Sequence, residues 1–227
     1  MNGPIKNLTI LSLQYHCYPD EVGGAWGVTY QVNKRLVAGG QQVHLITCKS
    51  SESLPDDEVI DGVFFHRISV RDSKSFISLW RAVRRKVNHI LKSEKIDLVH
   101  IHNPLVGFLS ILYPQLWKVP KVCHFHSSWY DEEKINQIGT ETSKIPLRLK
   151  IQLQLIRLME WTGYALSRNI LFLSEYSKNH FLEYYPFTPP KLCVIPGGVD
   201  IDEFKPPNSA EEVNSIREKL KLSLEIP

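Results

Sequence analysis

Short apolar, β-branched runs alternate with longer segments of helical period, and no other feature constrains this chain as strongly, because that alternation builds βαβ units around a parallel sheet. Strands are expected near Leu8–Leu13, Val43–Thr47, Val63–Ile68, Asp97–Ile101, Lys121–Phe125, Asn169–Leu173 and Leu192–Ile195. That makes a doubly wound, mostly parallel α/β sheet of about seven strands with helices on both faces. Helical segments fall near Ala25–Ala38, Phe76–Lys92, Pro104–Trp117, Pro146–Ser167 and Glu175–Tyr185, each with apolar residues recurring at three and four. Gly39-Gly40 is placed to close the first helix and Ser174 to cap the last. Cys48–Gly62 and Ser127–Ser143 read as irregular. After Phe204 the run Lys-Pro-Pro-Asn-Ser has linker composition, and Ala210–Leu224 reads as a charged helix. The expected division is a domain over residues 1–206, then a linker and the start of a further domain over 207–227.

Composition narrows the function classes. With 43% hydrophobic and 22% charged residues the chain can bury a core, which excludes wholesale disorder. Mean hydropathy is −0.19, and no apolar run approaches the ~20 residues of a bilayer span. Leu8–Leu13 is short for a secretory leader, and polar Gln14, His16 and Asp20 follow it, so a cytoplasmic location is expected. The 27 basic residues exceed the 24 acidic ones by only three, too few to imply a nucleic-acid partner. Cys17, Cys48, Cys123 and Cys193 contain no C-x-x-C pair and read as reduced, mostly buried thiols.

Ligands of parallel α/β sheets bind beyond the carboxyl ends of the strands. After the first strand, Gly23-Gly24 opens a helix, where backbone N–H groups and the helix N-terminus can approach an anion. His100 and His102 end the fourth strand, and His124 and His126 the fifth, in H-x-H spacing that sets each pair on one face. Two such pairs have the chemistry of zinc ligands, but no carboxylate co-ligand is adjacent; Asp131 and Glu132 follow a few residues later. His100 and His124 are expected as hydrogen-bonded core histidines, and His102 and His126, at the strand tips, as the functional pair.

Five segments in order and spacing resemble the family 4 glycosyltransferases, retaining enzymes of the GT-B fold. They are Leu11–Gly24, Asp97–His102, Val119–His126, Ile170–Lys178 and Val194–Pro206. The resemblance implies the Rossmann-like, acceptor-side N-terminal half of a two-domain enzyme that transfers a sugar from a nucleotide-sugar to a glycan or lipid-linked acceptor. It implies that Gly23 and Gly24 approach the donor diphosphate and that His126 lies against the donor sugar as the catalytic residue. Ser174, Gly197, Gly198 and Asp200 would contact the donor, and His102, Ser127 and Trp129 would lie on the acceptor side. Gly197 stands where the family usually has Asn. The family works without a divalent metal at the phosphates, so no metal and no cofactor is expected.

The family's donor domain carries two glutamates separated by seven residues. Glu175 and Glu183 have that spacing, but they lie on a helix of the first domain and read as a solvated pair. The donor domain must therefore come in cis or as a partner subunit, and the chain alone is expected to be inactive. Phe76–Lys92, with Arg81, Arg84, Arg85, Lys86 and Lys92, and Lys144–Arg157, with Lys144, Arg148, Lys150 and Arg157, are basic amphipathic helices. An anionic membrane surface is a candidate partner for them, and a solvated sheet-covering face is the alternative. The rival functions left open are a non-catalytic module of the same fold and a His-rich metallohydrolase.

Overall fold

The computed structural model describes residues 7–138, 146–186, 191–201, 204–207 and 209–222. They form two compact units, Met1–Ile195 and Pro196–Pro227. The first is built, in chain order, from β1 (Thr9–Leu13), α1 (Gly24–Ala38), β2 (Gln42–Cys48), β3 (Asp57–Ile60), β4 (Val63–Ile68), α2 (Val70–Ser73), α3 (Phe76–Ile90) and β5 (Leu98–Ile101). It continues with α4 (Pro104–Ile111), β6 (Lys121–Phe125), α5 (Trp129–Ile138), α6 (Leu147–Ala165), β7 (Asn169–Phe172), α7 (Glu175–Tyr184) and β8 (Lys191–Val194). The second unit carries α8 (Ala210–Lys219), capped by Ser209, whose side chain accepts from the Glu212 amide.

The sheet order is β3-β4-β2-β1-β5-β6-β7-β8, parallel except for the β3–β4 pair. This is a doubly wound, Rossmann-like sheet, with eight strands where about seven are expected from the alternation. The additional strand, β3, lies inside the supposedly irregular Cys48–Gly62. Its hairpin turn is Asp61-Gly62, with φ of +48° and +78°, the two left-handed residues of a type I′ turn. A Cβ at Gly62 would also stand 2.6 Å from Val37 Cγ1, so this position needs glycine on both counts. The expected helix Pro104–Trp117 ends instead at Ile111, with a single 3₁₀ turn at Pro114–Leu116, because proline cannot donate to a continuing helix. Part of Ser127–Ser143 is helical as α5; residues 139–143 lie outside the described residues, as do Lys144, Asn208 and residues 223–224 of the supposed second basic helix, linker and final helix.

Strand registers divide the side chains into two faces. Leu11, Ile46, Val99, Ile101, Cys123, Phe125, Ile170 and Phe172 fill the larger core, together with residues of α3, α4, α6 and α7. The other face is apolar only toward β4, where Ile10, Val43, Leu45, Val63 and Phe65 pack with Tyr30 of α1. At mid-sheet it becomes polar: Asn33 of α1 donates to Ser12 Oγ (3.0 Å), and Gln14 donates to Thr29 Oγ1 (3.0 Å). Hence the first helix buries Thr29 and Asn33 rather than an aliphatic stripe. Gly40, at φ +84°, terminates it as expected, its N–H donating to Val37 O. All four cysteines are free, with Cys193 the least buried. No helix among the described residues is long and apolar enough to cross a membrane.

Candidate functional site

A pocket of about 280 Å³ opens beyond the carboxyl ends of β1, β5 and β6. Its wall brings Gly23 and Gly24 together with His102, His126, Ser127 and Trp129, all of them expected site residues. Gly23 is the N-cap of α1 and offers no side chain to cap it, so the first N–H groups of the helix lack intrahelical partners and line the pocket. A Cβ on Gly23 would sit 2.6 Å from the Trp26 ring, whereas one on Gly24 would meet nothing within 4 Å. The loop ahead of these glycines is fixed by Asp20, whose carboxylate takes two hydrogen bonds from buried Arg67 of β4, at 2.6 and 2.9 Å. That pair is buried on both sides and bidentate, the geometry in which an ion pair specifies one arrangement.

The four histidines of β5 and β6 form one stack. His100 and His102 have ring centroids 3.9 Å apart, and His124 and His126 4.5 Å. Continuing the register Ile101↔Cys123 puts His102 beside His124. His102 Nδ1 and His126 Nε2 are 3.3 Å apart. His100 Nε2, His102 Nε2 and both ring nitrogens of His124 are buried without a partner. The expectation that His100 and His124 are satisfied core histidines is therefore corrected: Ser12, across the strand from His100, is bonded to Asn33, and these ring nitrogens find no partner. An orphaned buried polar atom costs about 1–3 kcal/mol. Burial, with the His124 ring adding to it, lowers His100 to about 3; burial alone brings His124 to about 4. Burial, then His124 and His100, lowers His126 to about 3, and His102 is held well below the ordinary range by burial and its three neighbours. All four rings are neutral at neutral pH.

Past His126 the chain turns into α5. Ser128 accepts from the Asp131 amide, while Glu160, a fully buried carboxylate of α6, accepts from the Trp129 and Tyr130 amides at 2.8 and 3.1 Å. Tyr164 and Tyr185 hydroxyls donate to the same carboxylate, at 3.2 and 2.8 Å. Burial raises the Glu160 pKa, and these four donors oppose that rise. Ser127 donates to Glu132, which also lines the pocket. Sequence reasoning missed Trp26 and Glu160. A lone acid in the apolar run Leu158-Met-Glu-Trp161 was the signal for the second.

Other expected site residues stand elsewhere. Ser174 is the N-cap of α7, closing a capping box with Ser177, and is exposed outside the pocket wall. Gly197, Gly198 and Asp200 belong to the second unit, in irregular backbone. Glu175 and Glu183 are exposed and pair locally with Lys178 and His180, as solvated residues do.

The fold is the Rossmann-like half of a GT-B fold. Residues 22–203 match the profile described as Glycosyltransferase Family 4, and the chain belongs to that family, as its N-terminal domain. It is 29% identical over 168 residues to the UDP-Gal:alpha-D-GlcNAc-diphosphoundecaprenol alpha-1,3-galactosyltransferase of Escherichia coli, covering 71% of this chain and 38% of that enzyme. It is 23% identical over 202 residues to the D-inositol 3-phosphate glycosyltransferase of Frankia alni, covering 84% of this chain and 47% of that one. The chain thus spans less than half the length of these relatives. Among solved structures, sucrose-phosphate synthase from Thermosynechococcus elongatus superposes with a TM-score of 0.72 at 18% identity, over 97% of this chain and 54% of its own. Anabaena HepE in complex with UDP and glucose gives 0.58 at 15% identity, over 95% and 50%. At these identities the superpositions establish the fold.

Proposed function

We propose that this chain is the acceptor-side half of a retaining glycosyltransferase that takes a nucleotide-sugar donor and a glycan or lipid-linked acceptor. The observation that carries the proposal is the single pocket in which the bare N-terminus of α1 faces His126. Departure of a nucleoside diphosphate from a sugar builds negative charge on the phosphates and positive charge on the ring. Amides of Gly24 and Ala25 supply preorganised donors to the first, with the α1 dipole behind them. His126, neutral and with one N–H to give, holds a sugar hydroxyl and fixes the reacting carbon. His102, Ser127 and Trp129 form the acceptor wall. Ser174, Gly197, Gly198 and Asp200 are assigned to the donor side on the family resemblance alone.

Amides supply no cations for the leaving diphosphate, so a C-terminal donor domain, in cis or as a partner subunit, completes the site. No metal is required at the phosphates. The galactosyltransferase relative, whose name gives a UDP-sugar and a lipid diphosphate acceptor, supports this reading. So does HepE, crystallised with UDP and glucose.

A cytoplasmic, peripheral-membrane setting is part of the proposal. It is supported by α6, whose outward face exposes Leu147, Ile151, Leu155, Leu158, Trp161 and Leu166, with Arg148 and Lys150 beside them. On α3, by contrast, Arg85 is paired with Asp72 and Lys86 with Asp57, and Trp80 packs on the core. The membrane assignment therefore rests on α6.

The test compares the isolated chain with the complete enzyme. Donor-binding calorimetry and product analysis are expected to show weak nucleotide-sugar binding and no turnover by this chain, and transfer with retained anomeric configuration by the whole enzyme. Turnover by the isolated chain, or an inverted product, overturns the proposal.

A further inference from the structure

The stack of imidazoles has a property that glycosyl transfer does not use. His100, His102 and His124 each bring one ring nitrogen to within 4.8 Å of the others, and all three side chains are buried. The orphaned atoms are these same groups: His100 Nε2, His102 Nε2 and both nitrogens of His124. Three neighbouring imidazoles with unpartnered buried nitrogens and no donor at hand are the chemistry of a first-row transition ion.

We propose that His100, His102 and His124 form a binding site for such an ion, with Zn2+ as its reference occupant. Tetrahedral zinc, with Zn–N of about 2.0–2.1 Å, sets its ligand nitrogens about 3.3–3.4 Å apart, so the site closes by side-chain shifts on the order of an ångström together with rotation of the stacked rings toward the ion. The H-x-H spacing supplies two ligands from β5, and the parallel register brings the third from β6 beside them. The outer partner is in place as well. With His102 Nδ1–H donated to His126 Nε2, 3.3 Å away, the tautomer of His102 is fixed and its Nε2 lone pair is free for the metal.

His102 and His124 also line the pocket, which gives the ion a way in as these rings turn, and a water from the pocket would complete its four-coordinate shell. Glu132 is the only carboxylate among the described residues of the pocket wall and offers the balancing charge. Imidazoles without oxygen ligands select against Mg2+ and Ca2+. The ion sits on the histidines, apart from the glycine amides at the α1 N-terminus, so the site is separate from phosphate binding.

The experiment uses the full chain stripped with chelator. Calorimetry with Zn2+ is expected to give one equivalent, and Mg2+ none. Excess Zn2+, about a hundred times its Kd, should raise Tm by roughly 5–10 °C. X-ray absorption at the zinc edge is expected to count three imidazoles in a four-coordinate shell, a readout that needs no variant. His100→Asn and His124→Asn should each weaken binding by roughly a hundred-fold or more. Exposed His89→Asn should change nothing. Absence of stoichiometric binding, an oxygen-rich six-coordinate shell, or affinity that survives both ligand substitutions in variants that still melt cooperatively overturns the proposal.

Discussion

Two groups of buried histidines lie on opposite faces of the sheet, and they are finished differently. On the α3 face, Gln42, His44, His66 and Asp57 form a continuous chain of hydrogen bonds, at 3.0, 3.0 and 2.7 Å. If the His66 Nδ1–H donates to Asp57, His66 Nε2 accepts from His44 Nδ1–H, and His44 Nε2 accepts from the Gln42 amide; every ring atom is used with both imidazoles neutral. Lys86 closes the far end on the same carboxylate, at 3.0 Å. Burial tends to raise Asp57, but the hydrogen bonds from Lys86 and His66 outweigh it and hold its pKa low. On the other face four rings share one bond of 3.3 Å, and four nitrogens go unpartnered. The first chain is satisfied within the fold, and the second leaves buried nitrogens unpartnered beside the pocket.

Acid challenges both groups at once and should give the largest effect. Burial lowers His44 to about 4 and lowers His66, as it does the four rings of the pocket stack. These groups bind protons in the unfolded chain near their ordinary value of ~6.5 but resist them when folded. Their contribution to stability is therefore fully present above about 6.5 and is lost as pH falls toward 3–4. Melting curves from pH 7 to pH 4 should show losses of several kcal/mol, on the order of 10 °C in Tm. A flat profile would mean that neither group is held neutral by the fold.

Next in size is His126→Ala in the complete enzyme, expected to lower kcat by about 10²-fold, as loss of one positioned contact does, while stability falls by no more than about 1–3 kcal/mol, the cost of stranding His102 Nδ1. Asp57→Ala is the matched cut on the other face. It strands His66 Nδ1 and should cost about 1–3 kcal/mol in denaturant melts while leaving donor binding intact. Equal effects of the two substitutions on kcat would erase the functional distinction between the groups. The smallest effect is expected from His100→Leu in chelated protein. Its Nε2 has no partner to lose, so stability should stay within about 1 kcal/mol of the parent or rise. A large loss there would reveal a hydrogen bond that His100 makes in solution.

The contrast between the two faces was only half legible in the sequence. Strand positions and the H-x-H tips came through because alternation and apolar runs are local. So did the convergence of Gly23-Gly24 with His126, because parallel strands share one carboxyl end. The edge strand β3 was hidden by its exposed, acidic residues, although Asp61-Gly62 between Val59-Ile60 and Val63 carried the turn signal. The α5 helix was overlooked with its Ser128-x-x-Asp131 start. Which histidine finds a partner depends on the side chain that the register places across the strand. His44 stands across from Phe64 and reaches His66 on the diagonal, His124 stands beside His102, and no window of sequence contains both members of either pair.

Glu160 ties mechanics to this geometry. Four hydrogen bonds join its carboxylate to the Trp129 and Tyr130 amides and to the Tyr164 and Tyr185 hydroxyls. The helix that carries it turns its aliphatic side outward, from Leu147 to Leu166. The same rod thus bears the exposed surface on one side and grips the start of α5, three residues past His126, on the other. A push or roll applied from outside cannot be absorbed at Glu160 without breaking buried hydrogen bonds; with them intact, the Trp129 amide travels with the rod and the pocket wall travels with Trp129.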